Sequence, residues 1–286
     1  MTAAALPGWI AAAISSTSVR SSKPDDAPAQ ALRSTVSGAR NLPTVLGSLP
    51  PWVNEVVLVD GRSADDTIAV ARGCRPDIKV VAQQGTGKGD ALLAGFRACT
   101  GDIIVMIDGD GSTDGGEMVR FVGALVTGAD YAKGSRFASS GGSDDITLSR
   151  RLGNGVLSGL VNLLFGTQYT DLCYGYNAFW SEHLPALDLD CDGFEIETLM
   201  NIRAAKAGLQ VQEIPSHERP RMHGESNLRV FLDGWRILKV IAAEAFARSR
   251  RRPGRPVTAR PAEDDPAAHA GVPAIAGAAD ASKELA

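Results

Sequence analysis

Hydrophobic positions along the chain follow two rhythms, and each change of rhythm marks an element. EVVLVD (55–60) and GDIIVMIDGDG (101–111) hold apolar runs that do not alternate and that end in acids. That is the pattern of strands buried on both faces. SADDTIAVARG (63–73) switches to helical spacing, with Ser63 or Asp65 as the start and Gly73 as the stop. IKVVA (78–82) predicts a second strand, the glycine-rich QGTGKGD leads into a helix through ALLAGFRAC, and another helix spans roughly 115–127. ADYAKGSRF (129–137) reads as a short strand and turn. Further on come an apolar helix near 148–165, a strand at YNAFW (176–180), a helix over 194–208 closed by Gly208, and a strand LQVQEIP (209–215). Strands alternating with helices predict an α/β domain, doubly wound in the Rossmann-like manner, with a mostly parallel central sheet covered on both sides.

The ends of the chain carry no such rhythm. Residues 1–35 mix Ala, Ser, Pro and charges, and they predict a disordered leader; Pro7-Gly8 interrupts the one short apolar run. Residues 249–286 start basic and continue in Ala, Pro and Gly, a second tail. The folded domain is therefore expected over 36–248, and no strand is read ahead of EVVLVD. No run reaches the ~20 apolar residues of a membrane-spanning helix.

Composition narrows the function. A net charge of −4 over 286 residues argues against a general nucleic-acid binder, whose footprint would be basic overall. Cys74, Cys99, Cys173 and Cys191 are scattered with no CxxC, which excludes a disulfide framework and suits a reducing compartment.

Ligands of a doubly wound sheet collect at the carboxyl ends of its strands, where the acids of this chain fall. Asp60 ends one strand, and Asp108-Gly109-Asp110 ends another. Two carboxylates at i and i+2 beside a diphosphate can share one hard divalent ion, Mg²⁺ or Mn²⁺. A solvated acidic turn ahead of the next helix is the plainer reading. GTGKGD (85–90) could bring an anion to Lys88 at a helix N-terminus, or could be only a flexible turn. KGSRF and ERPRMHGESN place Arg136, Arg219, Arg221, His223 and Ser226 in loops on the same side, a receptive lining for phosphate or a surface charge cluster.

In this order, EVVLVDGRSADDT, GKGDA, GDIIVMIDGDGSTD, KGSRF and RMHGESN together resemble the family 2 inverting glycosyltransferases, most of all their polyprenyl-phosphate (dolichol-phosphate) sugar synthases, over about residues 38–245. The resemblance implies a GT-A fold and transfer of a sugar from a nucleoside-diphosphate sugar, of GDP-mannose or UDP-glucose type, to an acceptor such as a polyprenyl phosphate. It implies that Asp60 contacts the donor nucleoside and that Lys88 lies near the nucleotide. It makes Asp108 and Asp110 the metal-binding pair, with Asp110, Arg136 and Arg221 in the catalytic centre, and places Arg136, Arg221 and Ser226 where they meet phosphates of donor or lipid acceptor. Arg219 and His223 join the substrate lining on the reading of the loop itself. For a hydroxyl acceptor a base would be needed, and Glu195 or Glu197 could serve. The family's opening Pro-x-x-Asn-Glu segment is not matched: PAQALRSTVSGA has Ser34, Ser37 and Gly38 there, and Asn227 stands where a lysine is common after the GES segment. The alternative reading is therefore a non-catalytic nucleotide-sugar-binding relative.

The last helix, near 227–248, spaces Leu228, Phe231, Leu232, Trp235, Leu238, Ala242 and Ala245 helically, with ten Lys/Arg against four Asp/Glu over 217–256. Residues 228–252 could lie peripherally on a membrane, at its cytoplasmic face, or the helix could simply pack on the domain.

Overall fold

A seven-stranded sheet organises the chain, and its first strand is one that the hydrophobic pattern does not reveal. The computed structural model describes residues 10–16, 38–223 and 230–247. Strand β1 is Ile10–Ser16, followed among the described residues by helix α1 (Gly38–Ser48), β2 (Glu55–Asp60), α2 (Thr67–Cys74), β3 (Lys79–Ala82), α3 (Lys88–Ala98) and β4 (Ile103–Asp108). A 3-10 turn (Gly115–Glu117) opens α4 (Met118–Val126); then come β5 (Tyr131–Ser135), a short β6 (Gly142–Ser143), α5 (Leu148–Phe165) and β7 (Asn177–Trp180). The chain continues through α6 (Leu184–Leu187), α7 (Ile196–Ala207), β8 (Val211–Pro215), a short β9 (His217–Glu218) and α8 (Val230–Phe246).

The strand order is β3-β2-β1-β4-β7-β5-β8, with β6 and β9 forming a separate pair. Every pairing in the large sheet is parallel except those of β7, which runs against both β4 and β5. The doubly wound, mostly parallel sheet expected from the sequence is thus present.

The leader expected over 1–35 needs correction. Residues 10–16 are an interior strand, paired in parallel with β2 on one side and β4 on the other. The sequence there, IAAAISS, is rich in alanine, which has little intrinsic strand preference. Two flanking ladders, closed by residues some 40 and 90 positions away, supply its hydrogen bonds instead. Residues 17–37, which include Ser34 and Ser37, and the tail 249–286 lie outside the described residues. Gly38, where a glutamate was expected, starts α1; a Cβ there would stand 2.7 Å from Thr67 Oγ1, so the position lets α1 close on the start of α2.

Both faces of β4 are covered. Ile103, Val105 and Ile107 join Leu42 and Val45 of α1 and Phe121 of α4, while Ile104 and Met106 join Phe96 of α3 and Met200 of α7. This is why the run shows no alternation. Helix ends follow their local signals: Thr147 accepts a bond from Arg150 N–H at the start of α5, and Gly166 ends it in the left-handed conformation at φ 69°. Gly208 closes α7 in the same way at φ 75°.

Candidate active site

Strand register brings the acids together. Ser16 of β1 stands opposite Asp60, and Ser15 stands opposite Asp108, so both acids end at the same edge of the sheet. This edge lies beside the switch point, where the chain turns from one half of the sheet to the other. The two acids do different things there. Asp60 is buried, and both of its carboxylate oxygens accept from Ser63 N–H at 3.3 and 3.2 Å, holding the turn into α2.

The glycines of GTGKGD serve a protein neighbour. Gly87 has φ 94°, and a Cβ on Gly87 or Gly89 would lie 2.2 Å from the carbonyl oxygen of Asp192 or Cys191. Gly89 N–H donates to Asp192 O at 2.8 Å. The opening of α3, which the sequence leaves open between an anion site and a flexible turn, is capped by the 191–193 backbone. Lys88 turns inward. Its Nζ lies 2.8 Å from Asp108 Oδ1, 3.0 Å from Asp108 Oδ2 and 2.6 Å from Glu197 Oε1. Burial alone would lower the lysine's pKa, but the two carboxylates outweigh it and hold the ammonium charged well above the usual range. Burial pushes Glu197 upward, and Lys88 offsets only part of that.

Asp110 sits in the turn after β4. Its Oδ1 accepts from Ser112 N–H at 3.0 Å, and its Oδ2 accepts from Arg221 Nε at 2.7 Å. Burial opposes its ionisation, yet Ser112 and Arg221 together hold the carboxyl below the usual carboxylate range. Arg221 also reaches Asp145 through Nη1 at 3.2 Å. Arg219, largely exposed, pairs with Asp114 at 2.7 Å, and its own N–H donates to Ser112 O. His223 contributes its backbone carbonyl to Asn41 Nδ2 at 3.3 Å. The 219–223 segment is thus tied to the β4 turn and to α1. Ser226 and Asn227 lie outside the described residues.

Asp108 and Asp110 offer hard carboxylate oxygens, and each side chain keeps part of its surface open to solvent. That donor chemistry fits Mg²⁺ or Mn²⁺. Among the described residues no group of three or more His, Cys, Asp and Glu is placed to hold a metal. A divalent ion on this pair would therefore need oxygens from a ligand or from water.

Arg136 departs from its expected place on phosphate. Its Nε and Nη2 grip the two oxygens of Asp171 at 2.7 and 3.0 Å, Nη1 reaches Glu218 at 3.0 Å, and Nη2 also reaches Cys173 O at 3.2 Å. Asp171 is fully buried and Arg136 nearly so. Planar, bidentate geometry suits a guanidinium to this task. The arginine ties β5 to the segment before β7 and to β9.

A model of glycosyl transferase family 2 matches residues 29–185, more than half of the chain. The chain belongs to glycosyl transferase family 2. Among similar proteins are the glycosyltransferase AglJ of Haloferax volcanii, 30% identical over 197 residues, and the undecaprenyl-phosphate mannosyltransferase of Micrococcus luteus, 31% identical over 218 residues. The aligned region covers 68% of this chain and 63% of AglJ, and 72% of this chain and 89% of the mannosyltransferase. Among solved structures, glucosyl-3-phosphoglycerate synthase of Mycobacterium tuberculosis in complex with UDP superposes with a TM-score of 0.61 at 20% identity, covering 83% of this chain and 80% of that one. At that identity the likeness speaks for the fold, the GT-A domain expected of family 2.

Several residues of this family 2 site have no motif to announce them. Asp145 lies in a loop 35 residues after Asp110, Asp171 lies in YTDLCYG, and Glu197 sits in an ordinary helical pattern. Gly175 shows the same: a Cβ there would stand 2.7 Å from Asp108 Oδ2 and 2.8 Å from Lys88 Nζ. A glycine between two tyrosines was the one available signal.

Proposed function

We propose that the protein is an inverting hexosyltransferase that moves a sugar from a nucleoside-diphosphate sugar, of GDP-mannose or UDP-glucose type, to a polyprenyl-phosphate lipid. The observation that carries this reading is Asp108 and Asp110 at the end of the central β4, with Arg221 on Asp110 and the 219–223 segment folded over the same turn. The mannosyltransferase relative, aligned over most of its length, supports the lipid phosphate as acceptor.

Asp108 and Asp110 would hold Mg²⁺ or Mn²⁺ against the donor diphosphate. That ion would neutralise charge on the departing nucleoside diphosphate. Arg221 and Arg219 lie on the same rim, where their cations can share that work. Asp60 would act on the donor through the turn that it holds, and His223 and Ser226 complete the proposed lining. A phosphate acceptor arrives already ionised, so no strong base is required. Glu197 is consistent with this: its carboxylate faces Lys88 and is not free to take a proton from an acceptor.

A lipid acceptor needs a protein that can rest on a membrane, peripherally and, in this reading, at the cytoplasmic face. No helix among the described residues is long and apolar enough to cross one. However, α5 exposes Leu148, Leu152, Val156 and Leu163, and α8 exposes Leu232 and Trp235. The basic side chains of Arg151, Arg236 and Lys239 are exposed on the same two helices. Apolar side chains with flanking cations suit the interface of an anionic bilayer.

A panel of radiolabelled GDP-mannose and UDP-glucose, offered with Mn²⁺ and polyprenyl-phosphate vesicles, tests the reading. Label should enter the organic phase with one of the donors. Donor binding without turnover would favour the non-catalytic alternative. That alternative rested on an unrecognised first strand and an unmatched base-pocket segment, and β1 now supplies the strand.

A further inference from the structure

Lys88 is shared by two acids that come from distant parts of the chain. Asp108 ends β4, whereas Glu197 stands in the first turn of α7, and both reach the one ammonium. The cluster is closed except on the side of Asp108. Lys88 and Glu197 are buried, and the backbone at Gly175 approaches so tightly that a Cβ would meet both Lys88 Nζ and Asp108 Oδ2 below 3 Å. An ammonium has three N–H donors, so it can serve both carboxylates at once. Of the three groups, Asp108 alone retains substantial exposure, with 30% of its side chain open against 10% for Lys88 and 5% for Glu197. The open end of the cluster is thus the end that would meet a cation.

We propose that Glu197 is a positioning residue for the metal on Asp108 and Asp110. By giving Lys88 a second, buried anion, it keeps the lysine from becoming the dedicated partner of Asp108. The inference rests on the metal reading of those two aspartates. With all three groups ionised, one cation and two anions leave the cluster one negative charge. Neutralising Glu197 makes the cluster neutral and leaves Asp108 as the only anion in reach of Lys88. A divalent ion must then compete with an undivided, charge-assisted hydrogen bond.

Mn²⁺ titration followed by electron paramagnetic resonance, with no donor sugar present, reads this directly. Glu197→Gln, which keeps size and one acceptor, should weaken Mn²⁺ binding about tenfold, the scale of one charged hydrogen bond. The double variant Lys88→Met/Glu197→Gln removes the competitor and the counter-charge together, and should return the affinity to the parent level. Lys88→Met alone should bind Mn²⁺ more tightly than the parent, which keeps the inference testable if Glu197→Gln does not fold. Parent-like affinity in Glu197→Gln, an equally weak double variant, or weaker binding in Lys88→Met would each overturn the inference while leaving the metal site standing. A parent chain that binds no Mn²⁺ would remove the metal reading, and the inference with it. Circular dichroism on each variant separates lost binding from lost fold.

Discussion

At the scale of single residues, charged side chains with similar sequence signals divide into two kinds of work. Asp110 and Arg221 form a pair at the rim, each still about a fifth exposed. Asp110→Ala should therefore abolish metal-dependent transfer while leaving thermal unfolding close to the parent; full retained activity would sink the site assignment. Arg136 and Asp171 form the other kind, a buried bidentate pair. Removing one member leaves an uncompensated buried charge, which costs about 3–5 kcal/mol. Arg136→Met should lower stability by that order in urea denaturation, with loss of activity only as a consequence. The pair also sets an acid dependence. Burial would raise the Asp171 carboxyl, but Arg136 outweighs it and holds it below its ordinary value. A depressed folded-state pKa gives stability that is present above the unfolded value of about 3.9 and is lost as pH falls below it. Urea midpoints taken from pH 6 down to pH 3 should show that fall in the parent and a flatter or inverted slope in Arg136→Met. The reason Arg136 reads as a phosphate ligand from sequence is plain: GSR in a loop after a strand is equally consistent with both uses. Only the position of Asp171, 35 residues later, decides between them.

At the scale of elements, legibility depended on whether the information was local. The helices and the apolar strands carry their own period, caps and stops, and α5, α7, β2, β4 and β8 stand close to where the pattern puts them. Strand β1 carries none of these. Its alanines become a strand because β2 and β4 each present a free ladder edge, and the position between them satisfies both. A proline in such a strand removes an N–H that a ladder needs and has no edge to retreat to. Ala13→Pro should therefore abolish the cooperative thermal transition and yield insoluble protein. A soluble, cooperatively folding variant would return residues 10–16 to the status of a dispensable leader. The glycine-rich turn before α3 teaches the converse lesson. Its motif was visible, but its use was not, because the neighbour it accommodates, the 191–193 backbone, is a hundred residues away.

At the scale of the whole molecule, the exposed apolar side chains of α5, with those of α8 beside it, are the main departure from an ordinary solvated surface among the described residues. The two helices pack together through a core that includes Val161, Ile237 and Ile241, so their outer residues share one body. Leu152→Glu combined with Val156→Glu replaces two exposed side chains, each worth about 1.5–3 kcal/mol if buried in lipid. Sedimentation with vesicles containing anionic lipid should show at least a tenfold loss of binding in the double variant, with folding unchanged because neither residue lies in the core. Equal sedimentation of parent and variant would leave that face without a membrane role. The sequence by itself determined the α/β class, most element types, the family, and which acids fall at strand ends. All of these depend on local period or on motifs short enough to be read in one window. Tertiary structure alone decided that residues 10–16 complete the sheet, that Arg136 is held by Asp171, and that Lys88 lies between Asp108 and Glu197. Each of these is a pairing between groups far apart in the chain, and a hydrogen bond or ion pair leaves no mark on sequence until folding brings its two halves within 3 Å.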